Sequence, residues 1–306
     1  MVFNYSEGKF NDNSYLMDGF LFRRPINLAL YIIENNGTRM LIDTSSAEHA
    51  ELIIEKLKNH KLYPIHKIFL THSHWDHVSG TEKLRWLMPK SDIEVLASEN
   101  AINNLKNPSI MNSVFQNNKP EAMNDLFDAT VEPIEDVIPL KEGDVIDLNG
   151  LHLEVFNFFG HTMDSIAFLD EKNRCLFTGD AIIDKVGESY IQPTFMPPEF
   201  NESELLKTFQ KLRDMKDRLN CLTLAHYGVY TDGDLEVCIE QMEDFHFKAK
   251  KSIVQWYKER LSTKEIALKY HEAYISDSRE ISRGALVSLE MNMNWLIEGL
   301  KLSGII

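Results

Sequence analysis

A chain of 306 residues with 43% hydrophobic and 10% aromatic side chains has the make-up of an ordinary globular protein, long enough for one large core plus an appended or inserted element. Its 47 acidic against 32 basic side chains give a formal charge of −15, which disfavours extended contact with phosphate backbones and makes nucleic acid a poor partner. Three cysteines (Cys175, Cys221, Cys238), odd in number and without a close pair, argue against a disulfide framework and for a reducing cytoplasm. The first residues, "MVFNYSEGKFNDNSY", lack a basic region followed by an apolar stretch, and no window approaches the roughly 20 apolar residues of a membrane span. A cytoplasmic protein with no membrane partner is expected.

The first two thirds alternate β-rich runs with helical patterns. "INLALYII" (Ile26 to Ile33) and "RMLIDT" (Arg39 to Thr44), separated by "ENNG", predict a hairpin turning at Asn35, Asn36 and Gly37. In "SAEHAELIIEKLKNH" the apolar positions Leu52, Ile53 and Leu57 recur at helical spacing after the start signal Ser46. "HKIFLTH" and "IEVLAS" predict strands flanking a helix in "SGTEKLRWLM", an alternation typical of α/β sheets. From about 99 to 133 an Asn-rich stretch carrying Met111, Phe115, Met123 and Phe127 predicts a helical insertion, either a surface elaboration or a lid over an apolar substrate. "DVIDL", "LHLEVFNF", "SIAFLDE" and "NRCLFTGD" predict a second block of sheet, followed by an amphipathic helix in "ESELLKTFQKLRDMKDRL" and a last strand in "CLTLAHYG". Residues 1–231 are thus expected to form the main domain and 232–306 a C-terminal helical appendage.

Chemistry concentrates at strand ends. "FLTHSHWDHVSG" places His72, His74, Asp76 and His77 directly after an apolar run, and neutral imidazoles with a carboxylate suit zinc, iron and similar cations. If the loop is extended, His72 and His74 converge while Asp76 and His77 turn toward a neighbouring point, so one loop serves two metals without closing either coordination sphere. Three more candidates follow strand-like runs: His161 in "FFGHTMDS", Asp180 in "CLFTGD" and His226 in "LTLAHYG". The remaining histidines (His49, His60, His66, His152, His246, His271) are expected to be structural or solvent-facing, without partners. Thr71, Ser73 and Thr162 are candidates to orient the imidazoles.

This ordered set, from about Ile26 to Gly228, resembles the metallo-β-lactamase superfamily. The resemblance implies an αβ/βα sandwich of class α/β, with a helical insertion and a C-terminal helical appendage. It implies one metal held by His72, His74 and His161, another by Asp76, His77 and His226, and Asp180 bridging them. Two divalent ions, zinc or iron with manganese as a further option, would share a water, lower its pKa and present hydroxide to a carbonyl or phosphoryl group, with Asp76 and Asp180 at the catalytic centre.

Asp180 stands where zinc β-lactamases carry cysteine, which argues against antibiotic hydrolysis, and Ile183 stands where acyl-homoserine lactonases carry tyrosine. Through "THSHWDHVSG", "IEVLASENAINNLKN", "GHTMDSIAF" and "CLFTGDAI" the chain is similar to the quinolone-signal response family, 2-aminobenzoylacetyl-CoA thioesterases. A small acyl thioester substrate is therefore expected, with Tyr227 as a weak candidate acid. Glu188, Tyr190, Arg283, Asn292 and Trp295 are unranked candidates for substrate contact. Phosphodiester hydrolysis, lactone hydrolysis, single-iron oxygen chemistry and a regulatory role with residual hydrolysis stay open as alternatives, as does a homodimer.

Overall fold

The computed structural model describes residues 3–4, 6–123, 128–182, 184–186, 190–275 and 280–306. A two-residue strand, β1 (Phe3–Asn4), opens the chain. One sheet runs in spatial order β2 (Gly8–Lys9), β3 (Ser14–Asp18), β4 (Ala29–Asn35), β5 (Thr38–Ile42), β6 (Lys67–Phe69), β7 (Glu94–Ser98) and β8 (Val137–Leu140). It is antiparallel up to β5 and parallel from β5 to β8. The second sheet comprises β9 (Val145–Leu148), β10 (Leu151–Asn157), β11 (Ile166–Asp170), β12 (Cys175–Phe177), β15 (Cys221–Thr223), β16 (Val229–Thr231) and β1 in spatial order; β13 (Asp184–Val186) and β14 (Tyr190–Gln192) form a separate hairpin. Among the described residues of the second sheet only β12 and β15 pair in parallel.

The apolar runs of the central strands are continuous because both faces are buried. In β4, Ala29, Tyr31 and Ile33 pack toward the opposite sheet, while Leu30 and Ile32 join the core beneath the helices. The inter-sheet layer is completed by Phe69, Phe168 and Phe177, with the Phe69 and Phe168 rings edge to face at 4.8 Å. Each such aliphatic or aromatic side chain, fully withdrawn from water, contributes about 1.5–3 kcal/mol. The second-sheet edge alternates instead: β9 exposes Val145 and Asp147 and buries Ile146 and Leu148.

Helices cover the outer faces: α1 (Ala50–Asn59), α2 (Trp75–Val78), α3 (Thr81–Leu87), α4 (Ile102–Lys106), α5 (Ser109–Asn117), α6 (Glu202–Met215), α7 (Asp232–Lys258), α8 (Thr263–Tyr274) and α9 (Arg283–Leu302). The layers therefore form an αβ/βα sandwich. Local chemistry sets the ends. The Ser262 hydroxyl accepts from the Glu265 N–H while the Glu265 carboxylate accepts from the Ser262 N–H, a reciprocal cap that starts α8. The Ser282 hydroxyl accepts from the Ala285 N–H at the start of α9. The predicted hairpin turns at Asn36 and Gly37, both left-handed, between β4 and β5.

Among the expected elements, the insertion contains α4, α5 and the single turn Glu121–Met123. Met111, Phe115 and Met123 are buried; Phe127 lies outside the described residues. β3 and β8 were not anticipated, nor were the short strands β1, β2, β13, β14 and β16. β8 carries Pro139, which lacks an N–H and is tolerated because β8 is an edge of its sheet. The cysteine reading is corrected: Cys175 and Cys221 form a disulfide across the parallel pair β12 and β15, with Cα atoms 4.4 Å apart although the two lie 46 positions apart in sequence. Their separation in sequence concealed an adjacency that only strand pairing creates. Among the described residues no helix is long and apolar enough to cross a membrane.

Candidate metal centre

The parallel strands of both sheets end at one point. β5 leads to Asp43, β6 to His72 through His77, β12 to Asp180, and β15 to His226, while His161 lies in the connection from β10 to β11. Gly179, left-handed at φ 56°, allows the Asp180 turn to pack against Thr71: a Cβ there would stand 2.6 Å from the Thr71 side chain. After the extended His74 the chain coils into the single turn α2, so Asp76 and His77 approach from a helical turn rather than from a fully extended loop.

All seven predicted residues meet. Candidate ligand atoms of His72, His74 and His161 lie within 4.8 Å of one another, as do those of Asp76, His77 and His226 and those of His72, His77 and Asp180. Asp180 Oδ2 stands between the sets, 3.2 Å from His77 Nε2, 3.3 Å from His226 Nε2, 3.8 Å from His161 Nε2 and 4.0 Å from His72 Nε2. Asp76 Oδ2 is 3.5 Å from His226 Nε2 and 3.8 Å from His77 Nε2. His74 differs in presenting Nδ1, which lies 3.0 Å from His161 Nε2.

The outer ring nitrogens of His72, His77, His161 and His226 are anchored to the protein, whereas His74 Nε2 is buried without a hydrogen-bonding partner among the described residues. His77 Nδ1 pairs with Asp43 Oδ2 at 2.8 Å, His161 Nδ1 with the Thr194 carbonyl at 2.7 Å, and His226 Nδ1 with the Asn27 carbonyl at 3.0 Å. His72 Nδ1 lies 3.0 Å from Thr71 Oγ1, and that hydroxyl donates to Asp43 Oδ2 at 2.9 Å. An Nδ1–H donated outward leaves the lone pair on Nε2 facing the centre, the tautomer a cation requires. His72 Nε2, His77 Nε2 and Asp180 Oδ1 are buried with no hydrogen-bonding partner in the protein. Such orphaned atoms are costly in a core, and their convergence with carboxylate oxygens fits divalent cations in both donor set and direction.

Electrostatics agree. Burial, reinforced by neighbouring imidazoles, holds His72 and His74 well below the usual histidine range, and burial also lowers His161. For His77 burial acts in the same direction, but Asp180, Asp43 and Asp76 outweigh it and lift its pKa well above that range. Burial opposes ionisation of Asp180 and Asp76, yet His77 and His226 prevail, holding Asp180 well below the carboxylate range and Asp76 below it. The carboxylates of Asp76 and Asp180 thus stay ionised beside a protonated His77, while the His72 and His74 rings stay neutral with free lone pairs.

A cavity of about 270 Å³ opens over this cluster. His74, Asp76, His161, Asp180 and His226 line its base. Its walls come from Leu21 and Phe22, Trp75, Phe115 of α5, Met196, and the residues Leu289, Met291 and Trp295 of α9. Phe115 joins base and wall, its ring 5.0 Å from that of His74 and 5.2 Å from that of Trp295.

Of the residues considered for substrate contact, Asn292 and Trp295 line the cavity and Arg283 does not. Ile183 and Glu188 lie outside the described residues, and the Tyr190 side chain is likewise not described. Tyr227 packs in the inter-sheet core, where burial raises its pKa. Thr71 does bond an imidazole; Ser73 and Thr162 do not, accepting instead from Asn104 and donating to Asp164. The expectation that the other histidines lack partners is corrected: His49 bonds Ser46, His66 accepts from the Arg39 N–H, His246 pairs with Glu202, and His271 lines the cavity. Asp43 was missed; its one signal is an acidic residue at the end of the apolar run "RMLI".

Residues 29–223, more than half the chain, match the sequence pattern of the Metallo-beta-lactamase superfamily. The atrochrysone carboxyl ACP thioesterase AacuM of Aspergillus aculeatus is 24% identical over 155 residues, covering 50% of this chain and 39% of that protein. A hydroxyacylglutathione hydrolase of Ruegeria pomeroyi is 26% identical over 147 residues, covering 48% of this chain and 44% of that enzyme. The chain therefore spans less than half the length of either curated relative. In three dimensions it is similar to a metallo-beta-lactamase superfamily protein of Sulfolobus tokodaii, with a TM-score of 0.63, 17% identity, and coverage of 94% of this chain and 100% of the other.

Proposed function

Since this chain belongs to the metallo-beta-lactamase superfamily, we propose that it is a hydrolase of small acyl thioesters that uses two divalent cations, zinc or iron. His72, His74 and His161 would hold one and Asp76, His77 and His226 the other, with Asp180 between them. The observation that carries this reading is the convergence of ring nitrogens whose opposite edges are tied to Asp43, Thr71, Thr194 and Asn27. When bound, the cations supply Lewis acidity toward a carbonyl oxygen and lower the pKa of a water to about 7.

The chain's own groups do the rest. Asp180 Oδ2, flanked by His77 and His226 on one side and His161 and His72 on the other, fixes the spacing of the two sets. Asp76 faces the cavity, orients the attacking water and accepts its proton. Phe115, Trp295, Met196 and Leu289 exclude bulk water and pack the acyl group, which strengthens charge interactions at the base. A thiol has a pKa of about 8.5, so a thiolate departs without a proton donor, and Tyr227 is turned into the core.

Relatives named as thioesterase and as hydroxyacylglutathione hydrolase support the thioester class, and the motif likeness to 2-aminobenzoylacetyl-CoA thioesterases narrows it to acyl-CoA-like compounds. The test is a panel of acyl-CoA thioesters, lactones and bis-p-nitrophenyl phosphate, assayed with metal content determined on the same preparation. Thioester turnover that exceeds the others and disappears with chelator is expected; a preference for the phosphodiester or the lactone overturns the substrate class.

A further inference from the structure

The stretch before β4, "GFLFRRPINL", is bound into the cavity wall in an unusual way. Phe20, Phe22, Arg23 and Ile26 all adopt left-handed backbone, at φ 55°, 57°, 57° and 58°, although none is glycine. Side chains resist that conformation, and such strain persists only where surrounding bonds impose it. Asp18 imposes it at both ends: one carboxylate oxygen accepts from the Phe20 N–H at 2.8 Å and the other from the Ile26 N–H at 2.9 Å. The Gly19 N–H donates to the Leu28 carbonyl at 2.8 Å and closes the base.

The clamped loop delivers three groups. The Phe22 ring packs on Trp75 at 5.6 Å, the Asn27 carbonyl accepts from His226 Nδ1, and Arg24, extended before Pro25, lines the cavity. Arg24 Nη1 donates to Ser288 Oγ of α9 at 3.0 Å, and the Ser288 hydroxyl donates in turn to the Gly284 carbonyl. Among the described residues no carboxylate stands within ion-pair distance of Arg24, although the chain carries 47 acidic side chains and a formal charge of −15. An arginine aimed by strained backbone at a cavity, bonded to one hydroxyl and lacking a carboxylate, offers a planar fork of donors suited to an oxyanion.

We propose that Arg24 determines specificity by taking an anionic group, a carboxylate or a phosphate, on the thiol half of the substrate while the acyl half fills the Phe115 and Trp295 wall. This deepens the thioesterase reading and rests on it for the substrate class. It also explains how a strongly acidic protein accepts an anionic ester: the local cation offsets repulsion from the surrounding surface.

Three hexanoyl thioesters separate the possibilities: those of coenzyme A (phosphates), glutathione (carboxylates) and N-acetylcysteamine (uncharged). Turnover is followed by thiol release. Binding is followed independently with the corresponding S-hexyl thioethers, through fluorescence of the cavity residues Trp75 and Trp295. The ratio of anionic to uncharged kcat/KM, and of the matching affinities, should fall about tenfold in Arg24→Met. Arg24→Lys should retain most of that ratio. Loss confined to the coenzyme A pair identifies phosphate as the anion, and loss confined to the glutathione pair identifies carboxylate. An unchanged ratio in Arg24→Met, or wild-type protein with no preference for the anionic thioethers, overturns the proposal. Arg24-dependent thioether binding without cleavage of any thioester supports it while removing the proposed activity. Cleavage with no dependence on Arg24 does the reverse.

Discussion

At the base of the cavity four of the five imidazoles, those of His72, His77, His161 and His226, are held from behind by carbonyls or short side chains, and Asp180 and Asp76 fill the spaces between their inner nitrogens. The walls are made differently. Phe115, Met196, Leu289, Met291 and Trp295 come from α5, the connection after β14, and α9, and apolar contact is what most of them contribute. Directional bonds define the base, where a shift of an ångström ruins a coordination set; the walls rest on shape and volume, which tolerate substitution more readily. On the proposed reading, chemistry falls to the rigid ends of the sheets and selectivity to what covers them, α5, α9 and the loop before β4.

Substitutions at the two levels should separate cleanly. The largest effect belongs to Asp180→Asn, expected to lower turnover by about 1,000-fold while the helical circular dichroism stays intact, because the carboxylate sits between both sets of imidazoles. Unchanged turnover in that variant removes the bridging role. Next is Asp43→Asn, one step behind the centre: weakening the bonds to His77 and Thr71 should reduce cation affinity by about 10–100-fold. This is measured by competition with a chromophoric chelator.

A wall substitution should do the opposite. Phe115→Leu is expected to cost about 1 kcal/mol in thermal unfolding and to raise KM for bulky acyl groups, with cation content unaltered. If it strips the cations instead, base and wall are not independent.

The smallest effect is a proton. His77, lifted well above the usual range by three carboxylates, is protonated at pH 7 in cation-free protein, whereas His72 and His74 are already neutral. Cation binding should therefore expel the His77 proton at pH 7, visible as a buffer-dependent enthalpy in calorimetric titration. The linked stability runs in two directions. His72 and His74, depressed in the fold, bind fewer protons there than in the unfolded chain, so their contribution is complete above about pH 6.5 and is lost as pH falls. His77 favours the cation-free fold at low pH, and that contribution is lost as pH rises through its elevated folded value.

Legibility in the amino-acid order follows the same division. His72, His74, Asp76, His77, His161, Asp180 and His226 stand out because polar residues at the ends of apolar strand runs are a local pattern, and the structure brings all seven together. Asp43 occupies an equivalent strand end but is a lone acidic residue there, indistinguishable from a turn former without knowing that β5 and β6 are neighbours. The Cys175–Cys221 pair was hidden for the same reason, since parallel pairing of β12 and β15 is a long-range event. His271 and the Arg24–Ser288 bond depend on α8 and α9 folding back over the loop that precedes β4, and periodicity within a helix does not state what that helix will cover.

On the proposed reading the seven converging residues hold divalent cations. Elemental analysis of protein purified without added metal, with His77→Ala prepared in parallel, tests it most directly. About two zinc or iron ions per wild-type chain are expected, with a clear loss in the variant. Wild-type protein that contains no stoichiometric cation, and takes up none on equilibration with zinc, iron or manganese, contradicts the account.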